Sequence, residues 1–142
     1  MPTSVQTVLV DSGYWLALYD PRDQYHQEAT DTQEYLQLVR PLVPWPTLYE
    51  VMRTRFVKRK DRLAQFEKAL ETLQPIYIDD SKYRESALSR TWRGPQGISL
   101  ADHVLRMILE DRPSRIDYIL TFNERDFTDI LLKLNIPYLN KD

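Results

Sequence analysis

The sequence predicts an α/β fold in which a central, mostly parallel sheet of about five strands is flanked by helices, formed as a single domain over 1–142. Three observations predict it. Short apolar runs recur along the chain, and the segments between them carry helical spacing. No repeat, low-complexity tract or linker interrupts the series. With 142 residues, 42% of them hydrophobic, the chain is long enough to bury one real core.

The elements follow in order. Thr7–Val10 is the first apolar run and reads as a strand, and Ser12–Tyr19 continues it as a helix. Asp20-Pro21-Arg22-Asp23 has turn chemistry, since proline presets its backbone and aspartate bonds to the chain locally. Gln24–Val39 reads as a second helix. Pro41 to Pro46 is an extended lead into a helix, and within it Leu42–Trp45 is the next apolar run. Helices are expected over Thr47–Lys60 and Arg62–Leu73, a strand over Ile76–Ile78, and a helix over Ser81–Trp92. Gly94-Pro95-Gln96-Gly97 reads as a loop, Leu100–Glu110 as a helix and Tyr118–Thr121 as a strand. In the last predicted helix, Glu124–Leu134, the residues Phe127, Ile130, Leu131 and Leu134 share one face. Pro137–Leu139 supplies a final short strand.

Composition narrows the chemistry. There is no cysteine, which removes disulfides, thiolate ligands and a thiol nucleophile and makes a reducing cytoplasm the expected location. No apolar run approaches the about 20 residues that span a bilayer, so no membrane partner is expected. A formal net charge of -2 argues against attachment to nucleic acid by bulk positive charge, while leaving room for a local basic patch. Three glycines, Gly13, Gly94 and Gly97, cannot form a Walker loop or a glycine-rich dinucleotide fingerprint. The two histidines, His26 and His103, form no His-Glu-x-x-His pair, and no Gly-x-Ser-x-Gly elbow is present. Carboxylates remain.

The informative acids share a position: each closes a strand or lies in the first turn of the next helix. Asp11 follows the first strand, Glu50 stands three residues after Thr47, Asp102 three after Ser99, and Asn123 and Asp126 follow the strand ending at Thr121. In an open parallel sheet the carboxyl ends of the strands lie along one edge, where ligands bind. Carboxylates crowded there without a lysine repel one another, and a divalent cation relieves the cost. Hard oxygen donors suit Mg2+ or Mn2+, and such an ion assists phosphodiester hydrolysis. The competing reading is plain helix capping: Thr47-x-x-Glu50 and Ser99-x-x-Asp102 fit or nearly fit a capping box, and Asp11 and Asn123 fit N-caps. Position alone leaves both open.

The local motifs resemble those of the PIN-domain ribonucleases, in particular the toxins of VapBC-type toxin–antitoxin systems. The resemblance rests on Val8-Leu9-Val10-Asp11-Ser12-Gly13-Tyr14-Trp15, Tyr25-His26-x-x-Ala29, Thr47-Leu48-Tyr49-Glu50-Val51, Ser99-Leu100-Ala101-Asp102 and Leu120-Thr121-Phe122-Asn123-Glu124-Arg125-Asp126-Phe127, in that order over nearly the whole chain. It implies a PIN-like fold and a metal-dependent endoribonuclease with Asp11, Glu50, Asp102 and Asp126 catalytic. It further implies Asp11, Asp102 and Asp126 as ligands of Mg2+ or Mn2+, and Ser12 and Asn123 as hydrogen-bonding support. Asn123 departs from the aspartate that many relatives carry, which weakens any second metal position. The implied partners are RNA, a cognate antitoxin protein and a second copy of the chain.

Arg53, Arg55, Lys58 and Arg59 offer a surface for RNA, by phosphate neutralisation beside Trp45 and Phe56; solubility of a helix face is the competing account. His103 follows Asp102 directly in its helix and so points away from it. His26 reads as a packing or capping residue. Trp15, Trp92, Tyr14 and Tyr118 read as core or interface aromatics. Other functions fit less well. An RNA-processing nuclease outside a toxin system shares the same site, and a non-cutting module that binds RNA or protein would not need Asp11, Glu50 and Asp102 together. A haloacid-dehalogenase phosphatase wants an acid where Gly13 stands.

Overall fold

The structure, a computed structural model, describes residues 5–94, 97–111 and 115–139. Four parallel strands form the sheet: β1 (Thr7–Val10), β2 (Arg40–Pro44), β3 (Ile76–Ile78) and β4 (Tyr118–Leu120), in the order β3-β2-β1-β4. The helices are α1 (Ser12–Tyr19), α2 (His26–Leu36), α3 (Trp45–Val51), α4 (Thr54–Val57), α5 (Lys60–Leu73), α6 (Arg84–Arg93), α7 (Leu100–Glu110) and α8 (Thr128–Leu134). Short 3-10 turns at Ser81–Tyr83 and Glu124–Asp126 precede α6 and α8.

Strand β1 is central, and its alternation divides the core. Val8 and Val10 pack on one face with Tyr14, Trp15, Val43, Phe56, Phe66 and Leu120, under α1 to α5. Leu9 packs on the other with Leu42, Leu105, Ile108, Ile119, Phe127 and Ile130, under α6 to α8. Both faces of β1 are therefore buried, which is why its three apolar residues run without a polar interruption. Chain order runs outward from β1 through β2 to β3, then returns to the other side of β1 as β4. The reversal leaves a switch point between the carboxyl ends of β1 and β4, where open α/β sheets bind ligands.

Several boundaries differ from those the sequence predicts. The segment Pro137–Leu139 contributes one parallel bridge, Ile119 to Tyr138, in place of a fifth strand. Pro137 accepts from the Ile119 N–H but has no N–H of its own to give, and Leu139 makes the return bond to the Ile119 carbonyl. The single helix expected over Thr47–Lys60 is broken into α3 and α4 at Met52, which leaves helical geometry, and Arg53, which is extended. Val51 and Phe56 are both buried, yet five helical residues would set them about 140° apart, so the break lets both reach the core. Trp45 is the first residue of α3, with Pro46 tolerated in the first turn, and not the last of β2. The second helix is shorter than expected, and the Glu124–Leu134 segment starts as a 3-10 turn before α8. Phe127, Ile130 and Leu131 are buried and Leu134 half-buried, the face the spacing predicts. In the predicted loop Gly94–Gly97, Pro95 and Gln96 lie outside the described residues. Trp92 is exposed and belongs to no core. Among the described residues no helix is long and apolar enough to cross a membrane.

Candidate active site

The switch point gathers acids from four separate segments. Asp11 closes β1 and caps α1: its Oδ1 accepts the Ser12 backbone N–H at 2.7 Å and its Oδ2 accepts the Thr121 hydroxyl at 2.9 Å. Its own N–H donates to the Leu120 carbonyl at 3.0 Å, which ties the end of β1 to the end of β4. Burial raises the Asp11 pKa, the Thr121 and Ser12 bonds oppose the rise, and the charge of Asp126 adds to it.

Glu50, on α3, faces the same place. Its Oε1 is buried without a hydrogen-bond partner. Burial and then the charge of Asp11 raise its pKa, while a bond from Ser12 and the charge of Arg53 pull it down. Asp102 stands in the first turn of α7, where its N–H donates to the Ser99 hydroxyl at 3.1 Å. Its carboxyl is pushed up to about 8, first by burial, then by the charge of Asp11, a hydrogen bond shared with Asp126, and the charges of Asp126 and Glu50. Asp126 ends the 3-10 turn after β4, and its Oδ2 accepts from Asn123 Nδ2 at 2.5 Å.

The capping readings divide. Asp11 is an N-cap as well as a member of the acid group, and Ser99 caps α7. Thr47 caps nothing: it lies inside α3, whose N-cap is Pro44, and its hydroxyl is buried without a partner. Glu50 is thereby released from a capping box. Asn123 makes no side-chain cap bond and holds Asp126 instead. Ser12 is buried beneath, its hydroxyl 3.4 Å from Asp11 Oδ1.

Two residues escape the sequence reading. Thr121, buried, donates to Asp11 and accepts the Asn123 N–H at 3.0 Å, so one hydroxyl links β1 to the turn carrying Asp126. Arg106 lies one helical turn after Asp102 on α7, donates to the Asp126 carbonyl at 2.6 Å and forks onto both oxygens of Asp129. The i,i+4 spacing from Asp102 is the signal that could have found Arg106; nothing local marks Thr121 as a bridge. Both histidines stay outside the acid group. His26 Nδ1 lies 2.8 Å from the Ala17 carbonyl, and His103 is buried with both ring nitrogens unpartnered, its pKa held down by burial and then by Arg106 and Arg90.

Arg53, Arg55, Lys58 and Arg59 are exposed along the stretch from α3 to α5, and the charge of Arg53 reaches Glu50. Arg59 also stands 3.8 Å from Asp61. Trp45 is partly exposed, whereas Phe56 is buried in the core and unable to stack a base.

The donor set suits a hard cation. It is all oxygen, the charges of neighbouring acids help raise the pKa of Asp11, Glu50 and Asp102, and Glu50 keeps a buried oxygen with nothing to accept from. Among the described residues, none of the four acids is ion-paired to a Lys, Arg or His. As they stand, no three Asp, Glu or His side chains among the described residues close around a metal position. Comparison with models of protein families gives no match, and neither does comparison with curated proteins.

Proposed function

We propose that the chain is a magnesium- or manganese-dependent endoribonuclease of PIN-like fold, acting as the toxin of a toxin–antitoxin pair. The observation that carries the proposal is the convergence of Asp11, Glu50, Asp102 and Asp126 on one electrostatically coupled site at the β1–β4 switch point. The ordered motifs that place these acids resemble the toxin family, and they are what favours RNA over other phosphodiesters.

Asp11, Asp102 and Asp126 would hold the cation, with Thr121 and Ser12 orienting Asp11 and Asn123 orienting Asp126. When bound, such an ion lowers the pKa of a coordinated water and neutralises charge on the phosphodiester oxygens. Glu50, with its unengaged Oε1, is the group poised to accept a proton from the attacking water. Asn123, a neutral amide, is a weaker ligand than a carboxylate, so the site is read as holding a single ion tightly.

Purified protein incubated with total RNA is expected to create new 5′ ends in Mg2+ or Mn2+ and none in a chelator. Mapping those ends also identifies the preferred sequence. RNA left intact in both conditions overturns the assignment.

The exposed guanidinium and ammonium groups of Arg53, Arg55, Lys58 and Arg59 form the approach for the RNA backbone. Arg55→Ala with Arg59→Ala is expected to weaken RNA binding and to flatten the plot of log Kd against log salt by about two phosphate contacts. An unchanged slope would assign the patch to the antitoxin or to solubility. A second copy of the chain is expected against the edge strand β3, where the exposed Tyr77 ring lies 6.1 Å from that of Trp45 on α3, itself 6.2 Å from Tyr49.

A further inference from the structure

The acid site opens beside a cleft of about 720 Å3 that shares two of its residues. Thr121, which bonds Asp11, and Asn123, which bonds Asp126, both line it, and between them in the chain stands Phe122. The Phe122 ring stacks on Tyr25 at 4.7 Å between centroids and 7° between planes, and both rings are only half-buried. Tyr14 closes on Phe122 from the core, 6.3 Å away, so the pair is backed and held in register. Glu28 and Asp31, exposed on α2 one and two turns beyond Tyr25, complete the rim.

Resting on the nuclease reading, we propose that this cleft is the subsite for a nucleobase next to the scissile phosphate, with the Tyr25–Phe122 stack as its platform. Thr121 and Asn123 line the cleft and bond the acids, and Phe122 between them carries the stack, so a phosphodiester at the acids carries its neighbouring nucleoside toward Tyr25. Unpaired bases bind by stacking on such rings and by hydrogen bonds along their edges. Ionised Glu28 and Asp31 only accept hydrogen bonds, and they repel a phosphate. Glu124 and one cation, Arg125, line the cleft as well, so its charge remains net negative; the cleft therefore favours the base over the backbone, and bases that present amino groups over uracil.

The test has a binding arm and a cutting arm. Guanosine, adenosine, cytidine and uridine are titrated in chelator against the protein, with NMR shifts as the readout, and the parent is compared with Tyr25→Leu, which keeps apolar bulk, and Tyr25→Phe, which keeps the ring. We expect at least one amino-bearing nucleoside to bind more tightly than uridine, about tenfold weaker binding in Tyr25→Leu, and retention in Tyr25→Phe. In the cutting arm, Tyr25→Leu should lose the parent's preference for the base flanking the cleaved bond. RNA cleavage accompanied by nucleoside binding that Tyr25→Leu leaves unchanged, or by none at all, overturns the subsite and spares the nuclease. Tyr25-dependent binding by a protein that leaves RNA whole does the reverse.

Discussion

Asp102→Asn is expected to reduce cation-dependent RNA cleavage by about three orders of magnitude or more, roughly 4 kcal/mol of barrier, while the fold stays intact. The substitution keeps shape and volume. The one hydrogen bond that Asp102 gives to helix α7 runs from its backbone N–H to Ser99 and is untouched. What changes is the carboxyl itself: the charge it can carry beside Asp11, Asp126 and Glu50, and the hydrogen bond it shares with Asp126. An amide is a poorer ligand for a hard cation, so the site loses metal affinity. In the metal-free protein Asp102 is largely protonated below pH 8, so the melting temperature should hold there, and it should rise at pH 9, where the change removes a repulsive charge. Cleavage assays and thermal melts on the purified variant measure both; cleavage equal to the parent's would remove Asp102 from the mechanism and the acid site with it.

The second large effect is a pH dependence that a cation reverses. A carboxyl with a folded pKa of about 8 binds its proton more tightly in the folded protein than in the unfolded chain, where aspartate titrates near pH 4. Its stabilising contribution is therefore complete below the unfolded value and is lost as pH rises through 8. Asp11 and Glu50 are raised in the same direction and add to the trend. Metal-free protein should melt progressively lower from about pH 4 to pH 8, the interval between the unfolded and folded values, and level off by pH 9. Mg2+ or Mn2+, which binds the deprotonated site, should raise the melting temperature far more at pH 9 than at pH 6.5. Asp102→Asn should flatten both trends. Melting temperatures that ignore pH in chelator, or a cation shift equal at both ends of the range, would show that the acids are not coupled as described.

Much of this site could be read from the chain before its fold was known, because the acids sit where local chemistry already says a strand ends. Val8 to Val10 followed by Asp11 carries both the strand and its cap, and Ser99 announces α7 three residues before Asp102. The break at Met52 and Arg53 was not legible, since it is imposed by the need of Val51 and Phe56 to reach one core, a tertiary demand that overrides the helix-forming residues around it. Thr47 misleads for a related reason: its capping signature is real, but Pro44 and Trp45 start the helix earlier and bury it. The fifth strand is reduced to the Tyr138 bridge beside a proline that withholds a donor. Thr121 and the Tyr25–Phe122 stack depend on pairs far apart in sequence, which no window of local periodicity contains.

The double engagement of Asp11 bears on how an inert version of the protein should be made. Both of its oxygens serve the architecture, one holding the start of α1 and the other the strand end at Thr121. An alanine there would strip a cap and leave the Thr121 hydroxyl without its acceptor, so silence in such a variant would report a loosened scaffold as readily as a lost ligand. On the proposed nuclease reading, Asp102 and Glu50 are the positions to neutralise for capturing an uncut RNA on an otherwise sound molecule, and Asp11 is the one to leave alone.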